Sequence, residues 1–343
     1  METIQTTTDV LTARFLTEET VALVKSEFER QLSLALDLKK ISAPMIVLKG
    51  TGVNDDLNGV ERAVKFPIKG MQEQPAEVVQ SLAKWKRIRL KEYQVEPGVG
   101  ILTDMRALRP DEDLTPIHSI FVDQWDWELA MPEDRRDLDF LKAAVKKIYS
   151  AILAVEKLVS EQFPENFRIL PEEITFLHSE ELLQKYPHLT PKQRENAAAR
   201  EFGAIFLMGI GGKLSHGEPH DGRAPDYDDW TTPSEDGHSG LNGDIIVWNP
   251  VLEQGFELSS MGIRVDPETL ARQLALTGQE ERAQLYYHQQ LLSGQLPQSI
   301  GGGIGQSRLC MFLLKKRHIG EVQVSIWPES LREECAAKGI HLL

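Results

Sequence analysis

The most informative stretch of this chain is Ile-Gly-Gly-Gly-Ile-Gly-Gln-Ser-Arg, residues 300–308, which is followed by the apolar run 309–314. Gly301, Gly303 and Gly305 carry no Cβ, so the backbone here can lie against another group or take a positive φ. Arg308 falls in the first turn of the helix that we expect next, where its guanidinium group can bind a phosphate or stack on a ring. A plain glycine-rich turn between a strand and a buried helix fits the same residues, so the segment alone leaves both interpretations open.

Neither of the two common nucleotide-binding loops fits the glycines of this chain. The dinucleotide-binding fingerprint requires a third glycine where Gln306 stands. The second glycine-rich stretch, residues 209–213, would need a glycine at Leu207 and a serine or threonine at Leu214 to form a P-loop. A nucleotide site in this chain therefore requires another architecture.

The composition of the 343-residue chain, with 41% hydrophobic residues, predicts a sizeable buried core. No apolar run approaches the roughly 18 residues of a membrane helix, and residues 1–10 lack a signal-peptide core, so we expect no membrane partner and a cytoplasmic location. Cys310 and Cys335 have neither metal-ligand spacing nor a disulfide framework, which fits a reducing compartment. The net charge of −14 argues against a nucleic-acid partner, although a local basic patch could override it.

Hydrophobic periodicity predicts two long helices, one from Thr17 and one over residues 140–159. Residues 40–48 read as a strand interrupted by Pro44, which indicates a sheet edge or a subunit contact because one ladder donor is missing. A further strand, 78–82, leads into a segment with five cations among eight residues, although the rest of the chain is acidic.

Two pairs of strands carry unusual polar residues. Residues 99–107 and 117–127 predict an antiparallel hairpin with a long connection, and strand alternation places Gln124 and Asp126 on one face. Residues 244–249 and 256–265 form the second pair, in which Glu257 and Ser259 share a parity that Arg264 lacks. We predict a bulge at Gly262 that brings all three to one side.

A long polar loop covers residues 215–243. A loop of this length inside an ordered region is more often functional than not. Within it His216, Glu218, His220 and Asp221 are a candidate zinc site, but Gly217 and Pro219 interrupt the helix that would align the histidines. A solvated or hydrogen-bonded loop is therefore the favoured interpretation.

Arginines and acids on these strands suit a nucleoside triphosphate with Mg²⁺. Guanidinium groups of Arg109, Arg264 and Arg308 can hold phosphate oxygens, and the carboxylates of Asp244 and Glu257 can hold the metal. Each acid could instead pair with a neighbouring arginine. Taken together on several strands, they favour a ligand, because buried unpaired charges are costly.

Seven blocks of sequence carry a resemblance to a known family. They are Ser-Leu-Ala-Lys-Trp-Lys-Arg (81–87), Ala-Leu-Arg-Pro-Asp-Glu-Asp (107–113), Val-Asp-Gln-Trp-Asp-Trp-Glu (122–128), Arg-Ala-Pro-Asp-Tyr-Asp-Asp-Trp (223–230), Leu-Asn-Gly-Asp-Ile (241–245), Phe-Glu-Leu-Ser-Ser-Met-Gly-Ile-Arg-Val (256–265) and the glycine stretch itself extended to Leu309. Through them the chain resembles, over nearly its whole length, the aspartate–ammonia ligases. These are the ammonia-using asparagine synthetases, and their fold is the class II aminoacyl-tRNA synthetase core.

The resemblance implies an α+β fold, a mainly antiparallel sheet flanked by helices, as one catalytic domain over residues 1–343. Pro44 resembles the dimer-interface motif, which implies a homodimer, Arg109 the arginine of motif two, and residues 301–308 motif three. The implied reaction uses Mg²⁺ and ATP to convert aspartate to a β-aspartyl adenylate, from which ammonia displaces AMP to give asparagine.

The resemblance also implies a role for each site residue. The catalytic residues are Asp55, which holds ammonium and accepts its proton, Arg109, which stabilises charge at the α-phosphate, and Gln124, which orients the reacting carboxyl group. The substrate-binding residues are Asp126 and Asp228 for the substrate ammonium, Lys86 and Ser81 for the α-carboxylate, and Ser260. The nucleotide-binding residues are Arg109, Asp244, Ser259, Arg264 and Arg308, and the metal ligands are Glu257 and Asp244.

The chain departs from the family pattern at two places. The stretch before Asp55 matches the family pattern loosely, so the assignment of the catalytic aspartate to Asp55 rather than Asp56 is a choice of alignment register. Gln80 stands where the family pattern has a histidine. Residue 2 is Glu2, so the N-terminal cysteine of glutamine-dependent synthetases is absent and free ammonia is the expected nitrogen donor. An aminoacyl-tRNA synthetase and a catalytically inactive paralogue are the rivals; length and charge disfavour the first, and the retained arginines the second.

Overall fold

The computed structural model describes residues 7–55, 57, 61–234 and 237–343, and the elements below belong to these residues. The helices are α1 (Thr7–Leu36), α2 (Ala83–Glu92), α3 (Leu138–Gln162), α4 (Ser179–Lys185), α5 (Pro191–Phe202), α6 (Pro267–Thr277), α7 (Tyr286–Leu292), α8 (Gln306–Leu313) and α9 (Glu329–Ala337). The strands are β1 (Leu38–Lys40), β2 (Ile46–Leu48), β3 (Lys65–Ile68), β4 (Gln74–Val78), β5 (Gly100–Leu108), β6 (Phe121–Ala130), β7 (Thr175–His178), β8 (Ala204–Met208), β9 (Asn242–Asn249), β10 (Gln254–Ile263) and β11 (Ser299–Gly305).

Eight strands form the main sheet in the order β1-β5-β6-β11-β10-β9-β8-β7. The pairing is antiparallel except at the two ends, where β1 pairs with β5 and β7 with β8 in parallel. A small antiparallel sheet, β2-β4-β3, lies apart from it. The mainly antiparallel sheet predicted from the sequence is therefore present.

Strand alternation gives the main sheet one apolar and one polar face. Trp125 and Trp127 of β6, Met261 of β10 and Ile304 of β11 pack with α1, α3 and α8 in the largest hydrophobic core. The intervening residues of β6 and β10, such as Asp126 and Ser260, consequently point to the opposite face. This polar face of the central strands is where the candidate site lies.

Both predicted helices are present. The first begins at Thr7 rather than Thr17, because residues 8–16 contain no glycine or proline that would end it. The second is α3, two to three residues longer at each end than predicted, and its N-terminus is capped by Asp137, whose side chain accepts a hydrogen bond from the Phe140 amide. The predicted hairpin is β5–β6, with its second strand beginning at Phe121 rather than residue 117.

Two predicted strands have the wrong bounds. Residues 40–48 are not one strand, since β1 belongs to the main sheet and β2 to the small one, with Pro44 in the connection. The strand predicted at 78–82 ends at Val78, and Leu82 already precedes α2. In the first case the chain passes from one sheet to the other, and in the second it leaves the strand for a helix. Pro44 is the single local turn signal for these two changes.

The predicted bulge at Gly262 is also wrong. Gly262 pairs regularly with Gly301 on one side and Asn242 on the other, and the register shift lies between Glu257 and Ser259. Gly262 is needed instead because a Cβ there would contact Asn242 and Asp228. The earlier bulge places Ser260 on the polar face, whereas Ser259 pairs with the core residue Ile304.

Among the described residues, no helix combines the length and the apolar character that crossing a membrane requires.

Candidate active site

The glycine strand β11 lies between β6 and β10, and its glycines make room for side chains of β6. A Cβ at Gly301 would collide with the carboxylate of Glu128 and the guanidinium group of Arg264. A Cβ at Gly303 would collide with the amide of Gln124. The close approach predicted from the glycines is thus present, and the groups that use it are polar side chains of the protein.

Glu128 and Arg264 form a buried ion pair across this strand. Nε of Arg264 lies 3.0 Å from Oε1 of Glu128, and Nη2 lies 2.8 Å from Oε2. Nη1 of Arg264 donates to Asp228. Burial by itself raises the pKa of the Glu128 carboxyl, but Arg264 and Lys86 together hold it below its ordinary value. All nitrogens of Arg264 therefore have carboxylate partners, so this arginine fixes acids on the polar face.

Lys86 lies beneath the same face and is completely buried. Its ammonium group donates to Asp126 and to the carbonyl oxygens of Trp127, at 2.8 Å, and Gly302, at 3.2 Å. Burial raises the pKa of Asp126, and Oδ2 of this residue is buried without a hydrogen-bond partner among the described residues. The cationic segment of α2 is thus not a basic surface: Lys84, Lys86 and Arg87 are at most 1% exposed.

A cavity of about 100 Å³, the Asp228 pocket, opens on the polar face and gathers most of the predicted substrate residues. Its polar lining consists of Asp55, Ser81, Arg109, Gln124, Asp126, Tyr227, Asp228, Ser260 and Arg264. Asp55 and Asp228 are almost fully buried, and burial raises the pKa of Asp228 although Arg264 opposes the shift. The pocket suits a small ligand that carries a positive group. Asp56 lies outside the described residues.

A second cavity of about 230 Å³, the Arg308 pocket, adjoins the first and shares Arg109, Gln124 and Gly303 with it. Arg308 donates to the carbonyl oxygen of Glu257 at 3.0 Å, and its guanidinium group lies 3.6 Å from the Glu257 carboxylate. Nε of Arg109 is buried and has no hydrogen-bond partner in the described structure, although Nη2 donates to the Gln80 carbonyl oxygen at 3.3 Å. This half-buried arginine therefore has donors left for a ligand.

Asp244 lies on β9, paired with Ser260, and lines neither cavity. Nη2 of Arg223 contacts both of its carboxylate oxygens and lies 3.2 Å from the Ser260 hydroxyl. Burial raises the pKa of Asp244 to about 7, with Arg223 opposing the shift and the negative charge of Glu257 adding to it. A carboxylate whose charge is destabilised in this way by a second carboxylate is suited to hold a divalent cation together with it.

Other predicted residues lie outside the cavities or away from them. Ser259 donates its hydroxyl to the Gly303 carbonyl oxygen at 3.0 Å and lines neither pocket. In the long polar loop, His216, Glu218 and Asp221 are exposed, whereas His220 is buried and lies 3.1 Å from Glu195. Among the described residues, no three His, Cys, Asp or Glu side chains are grouped as a metal site.

Sequence reasoning missed several residues of the site. Arg223, Tyr227 and Glu128 lie inside quoted sequence blocks but received no role. His118 lines the Arg308 pocket, and burial together with Arg308 lowers its pKa to about 4, so the imidazole is neutral. Glu128 could have been found, because it follows Gln124 and Asp126 at the same strand parity.

A family model described as aspartate–ammonia ligase matches residues 15–339. The chain belongs to the aspartate–ammonia ligase family. The aspartate–ammonia ligase of Parabacteroides distasonis is 58% identical over 327 residues, covering 95% of both chains. That of Bacteroides fragilis is 54% identical over the same share of each. The family and the ligase class predicted from the sequence are thereby confirmed.

Solved structures resemble this member of the aspartate–ammonia ligase family in fold. Asparaginyl-tRNA synthetase of Pyrococcus horikoshii, complexed with asparaginyl-adenylate, matches with a TM-score of 0.65 at 16% identity, over 94% of this chain and 74% of that one. The Entamoeba histolytica enzyme, also with asparaginyl-adenylate, gives 0.67 at 16% identity over 91% of this chain, which spans only 66% of the synthetase. These likenesses confirm the class II synthetase fold and nothing beyond it.

Proposed function

We propose that this chain forms asparagine from aspartate and ammonia, with ATP giving AMP and pyrophosphate through a β-aspartyl adenylate. The observation that carries the proposal is the contact between two unlike pockets: the Arg308 pocket, with its arginines, adjoins the Asp228 pocket, with its buried carboxylates. Arg109, Gln124 and Gly303 line both. A carboxyl group held in one pocket therefore meets a phosphate held in the other beside the free donors of Arg109.

In the Asp228 pocket, we assign the substrate ammonium to Asp126 and Asp228, whose carboxylates lie on the polar face. Ser81 and Ser260 offer hydroxyl groups to the α-carboxylate. Lys86 donates to the Asp126 carboxylate and does not line the pocket. Its contact with the α-carboxylate of the substrate therefore stays a prediction. Gln124, lying across Gly303 where the two pockets meet, is placed to orient the β-carboxyl group.

In the Arg308 pocket, Arg109 and Arg308 bind the phosphates of ATP. Attack of the β-carboxylate on the α-phosphorus concentrates negative charge there, and donors preorganised at such a position each stabilise the transition state by about 3 kcal/mol. Glu257 and Asp244 are the residues that would hold Mg²⁺, which supplies additional charge neutralisation at the phosphates when bound. Arg264 donates to Glu128, and Ser259 donates to the Gly303 carbonyl oxygen. Because these side chains have protein partners, direct contacts of Arg264 and Ser259 with the nucleotide stay predictions.

The second step requires ammonia beside the adenylate. Asp55 is 3% exposed and lines the Asp228 pocket, so its carboxylate can hold ammonium and take one proton from it. The ammonia nitrogen then forms a bond to the β-carbonyl carbon, and the bond from this carbon to the AMP oxygen breaks. A second proton passes from the nitrogen to solvent water as the amide forms.

The test of the reaction is direct. Protein with Mg²⁺, ATP, aspartate and ammonium should yield equal amounts of asparagine and AMP, measured by chromatography, and chelation of Mg²⁺ should stop both. Formation of ADP, or a requirement for glutamine, would overturn the proposal.

Replacing Asp55 by Asn should separate the two steps. The amide keeps the shape of the side chain but neither attracts ammonium nor accepts a proton, so we expect asparagine formation to fall by about 10²-fold or more. Aspartate-dependent exchange of pyrophosphate into ATP should remain. Asparagine formation at the wild-type rate would remove Asp55 from the site.

We also infer a homodimer, one catalytic domain over residues 1–343, a cytoplasmic location and no nucleic-acid partner. Support for the dimer comes from the segment after Pro44, where Met45 and Ile46 are 57% and 45% exposed despite being large and apolar. Light scattering should give twice the mass of the chain, and a mass equal to one chain would contradict the dimer.

A further inference from the structure

A third cavity, of about 250 Å³, shares Asp55 with the Asp228 pocket. We call it the His288 cavity. Its lining runs from exposed residues, among them Lys49, Gly50 and Lys65, to buried ones. The buried residues are Asp55, Gln80, Lys84, Asp226 and His288. The cavity therefore leads from the surface to the back of a residue that the proposed reaction uses.

Asp226 organises the buried end of this cavity. Its Oδ2 accepts hydrogen bonds from Lys84 and Arg282, each at 3.0 Å, and from Nε2 of His288 at 2.9 Å. Burial by itself raises the pKa of Asp226, yet Lys84, His288 and Arg282 hold it well below its ordinary value. Because Asp226 is ionised, its Oδ2 can only accept, so Nε2 of His288 carries the hydrogen of the bond that joins them.

Two buried polar atoms on the lining of the His288 cavity are unused. Oδ1 of Asp226 and Nδ1 of His288 have no hydrogen-bond partner among the described residues. A buried polar atom of this kind is costly unless a partner reaches it. Oδ1 of the ionised Asp226 carboxylate can only accept, so the complementary ligand is small and carries N–H donors.

We propose that the His288 cavity admits the nitrogen substrate, ammonium or ammonia, and delivers it past Asp55 to the activated carboxyl group. This inference rests on the proposed function. When an adenylate fills the Arg308 and Asp228 pockets, the nitrogen can no longer approach through them. Apart from Asp55, the His288 cavity shares no described lining residue with either pocket, so both substrates of the second step can reach Asp55 along different linings.

Ala63 provides a way to obstruct the His288 cavity without touching the other two. It is half-buried, lines the His288 cavity and lines neither the Arg308 nor the Asp228 pocket. The two native cysteines, Cys310 and Cys335, are buried. A single Ala63→Cys variant can therefore be modified after folding with methyl or benzyl methanethiosulfonate and restored with dithiothreitol.

We expect benzyl modification of Ala63→Cys to raise the KM for ammonium at least about tenfold, and the methyl label to raise it less. Aspartate-dependent pyrophosphate exchange should stay within about twofold of the unlabelled variant, because this half-reaction uses only the other two pockets. Dithiothreitol should reverse the effect. Ala197→Cys on α5, also half-buried but outside all three cavities, is the matched control and should respond to neither label.

Two results would overturn the route. One is an unchanged KM for ammonium after benzyl labelling, confirmed by mass spectrometry. The other is an equal loss of pyrophosphate exchange and asparagine formation, which would place the label's effect on adenylation. If the unlabelled enzyme makes no asparagine from ammonium, the proposed function itself fails, so the two failures are distinguishable.

Discussion

Replacing Arg109 by alanine should slow adenylate formation severely while leaving the protein folded. Arg109 follows β5 at the place where the Arg308 and Asp228 pockets meet, and its Nε has no hydrogen-bond partner among the described residues. Loss of one such preorganised donor lowers a rate by about 10²–10³-fold. We therefore expect aspartate-dependent pyrophosphate exchange to fall by that factor.

Arg106 supplies a matched control for this substitution. It lies on the same strand, but its side chain is 66% exposed and its contact with Asp104 is a surface ion pair at 3.6 Å. Arg106→Ala should leave exchange within about twofold of the wild type, since exposed pairs contribute little. Thermal unfolding of both variants should match that of the wild type. Wild-type exchange in Arg109→Ala would contradict the placement of the phosphate.

Lysine at position 109 gives a finer test of what the arginine does. It keeps the positive charge but loses the planar fork that binds two oxygens at once. Exchange by Arg109→Lys should therefore lie between that of the wild type and that of Arg109→Ala. A rate equal to that of the alanine variant would show that geometry, rather than charge alone, stabilises the transition state.

Much of the fold was accessible from sequence because its signals are local. Alternation along residues 99–107 and 117–127 predicts the hairpin, although its second strand begins only at Phe121, and the apolar stripe of α3 predicts the long helix. The bulge between Glu257 and Ser259 gave no such signal, since it is set by the register of β10 against β9. Glycine at 262 marks a close contact with Asn242 and Asp228 instead.

The cationic segment of α2 illustrates why burial is hard to derive from sequence. Five cations in eight residues are typical of a solvated surface, yet Lys84 reaches Asp226 and Lys86 reaches Asp126. Arg87 donates to the carbonyl oxygens of Val265 and Pro297. These partners lie 40 to more than 200 residues along the chain, so only the fold brings them together.

The candidate site was predictable in its residue types more than in its arrangement. The family resemblance supplied Asp55, Arg109 and Asp228, which the structure brings to one pocket. Lys86 and Asp244 line neither pocket. Lys86 is bound to Asp126, and Asp244 is bound to Arg223. Whether a charged residue lines a cavity, or instead holds another residue that lines it, depends on such partners. The spacing of residues in the sequence does not specify these partners.

Gly301→Ala should destabilise the protein by about 3–5 kcal/mol, the cost of separating a buried ion pair. The new Cβ would occupy the space of the Glu128 carboxylate and the Arg264 guanidinium group, both fully buried. Their displacement leaves buried charges without partners, and Glu128 has no exposed surface to move into.

Urea unfolding followed by tryptophan fluorescence measures this loss, because Trp125 and Trp127 are buried on the apolar face of β6. Gly70→Ala is the control. A Cβ at Gly70 has no neighbour within 4 Å, so the free energy of unfolding should change by less than about 0.5 kcal/mol. A Gly301→Ala midpoint equal to that of Gly70→Ala would mean that Glu128 can leave Arg264 without cost. In that case the glycine strand would need another explanation, such as direct contact between its backbone and the ligand.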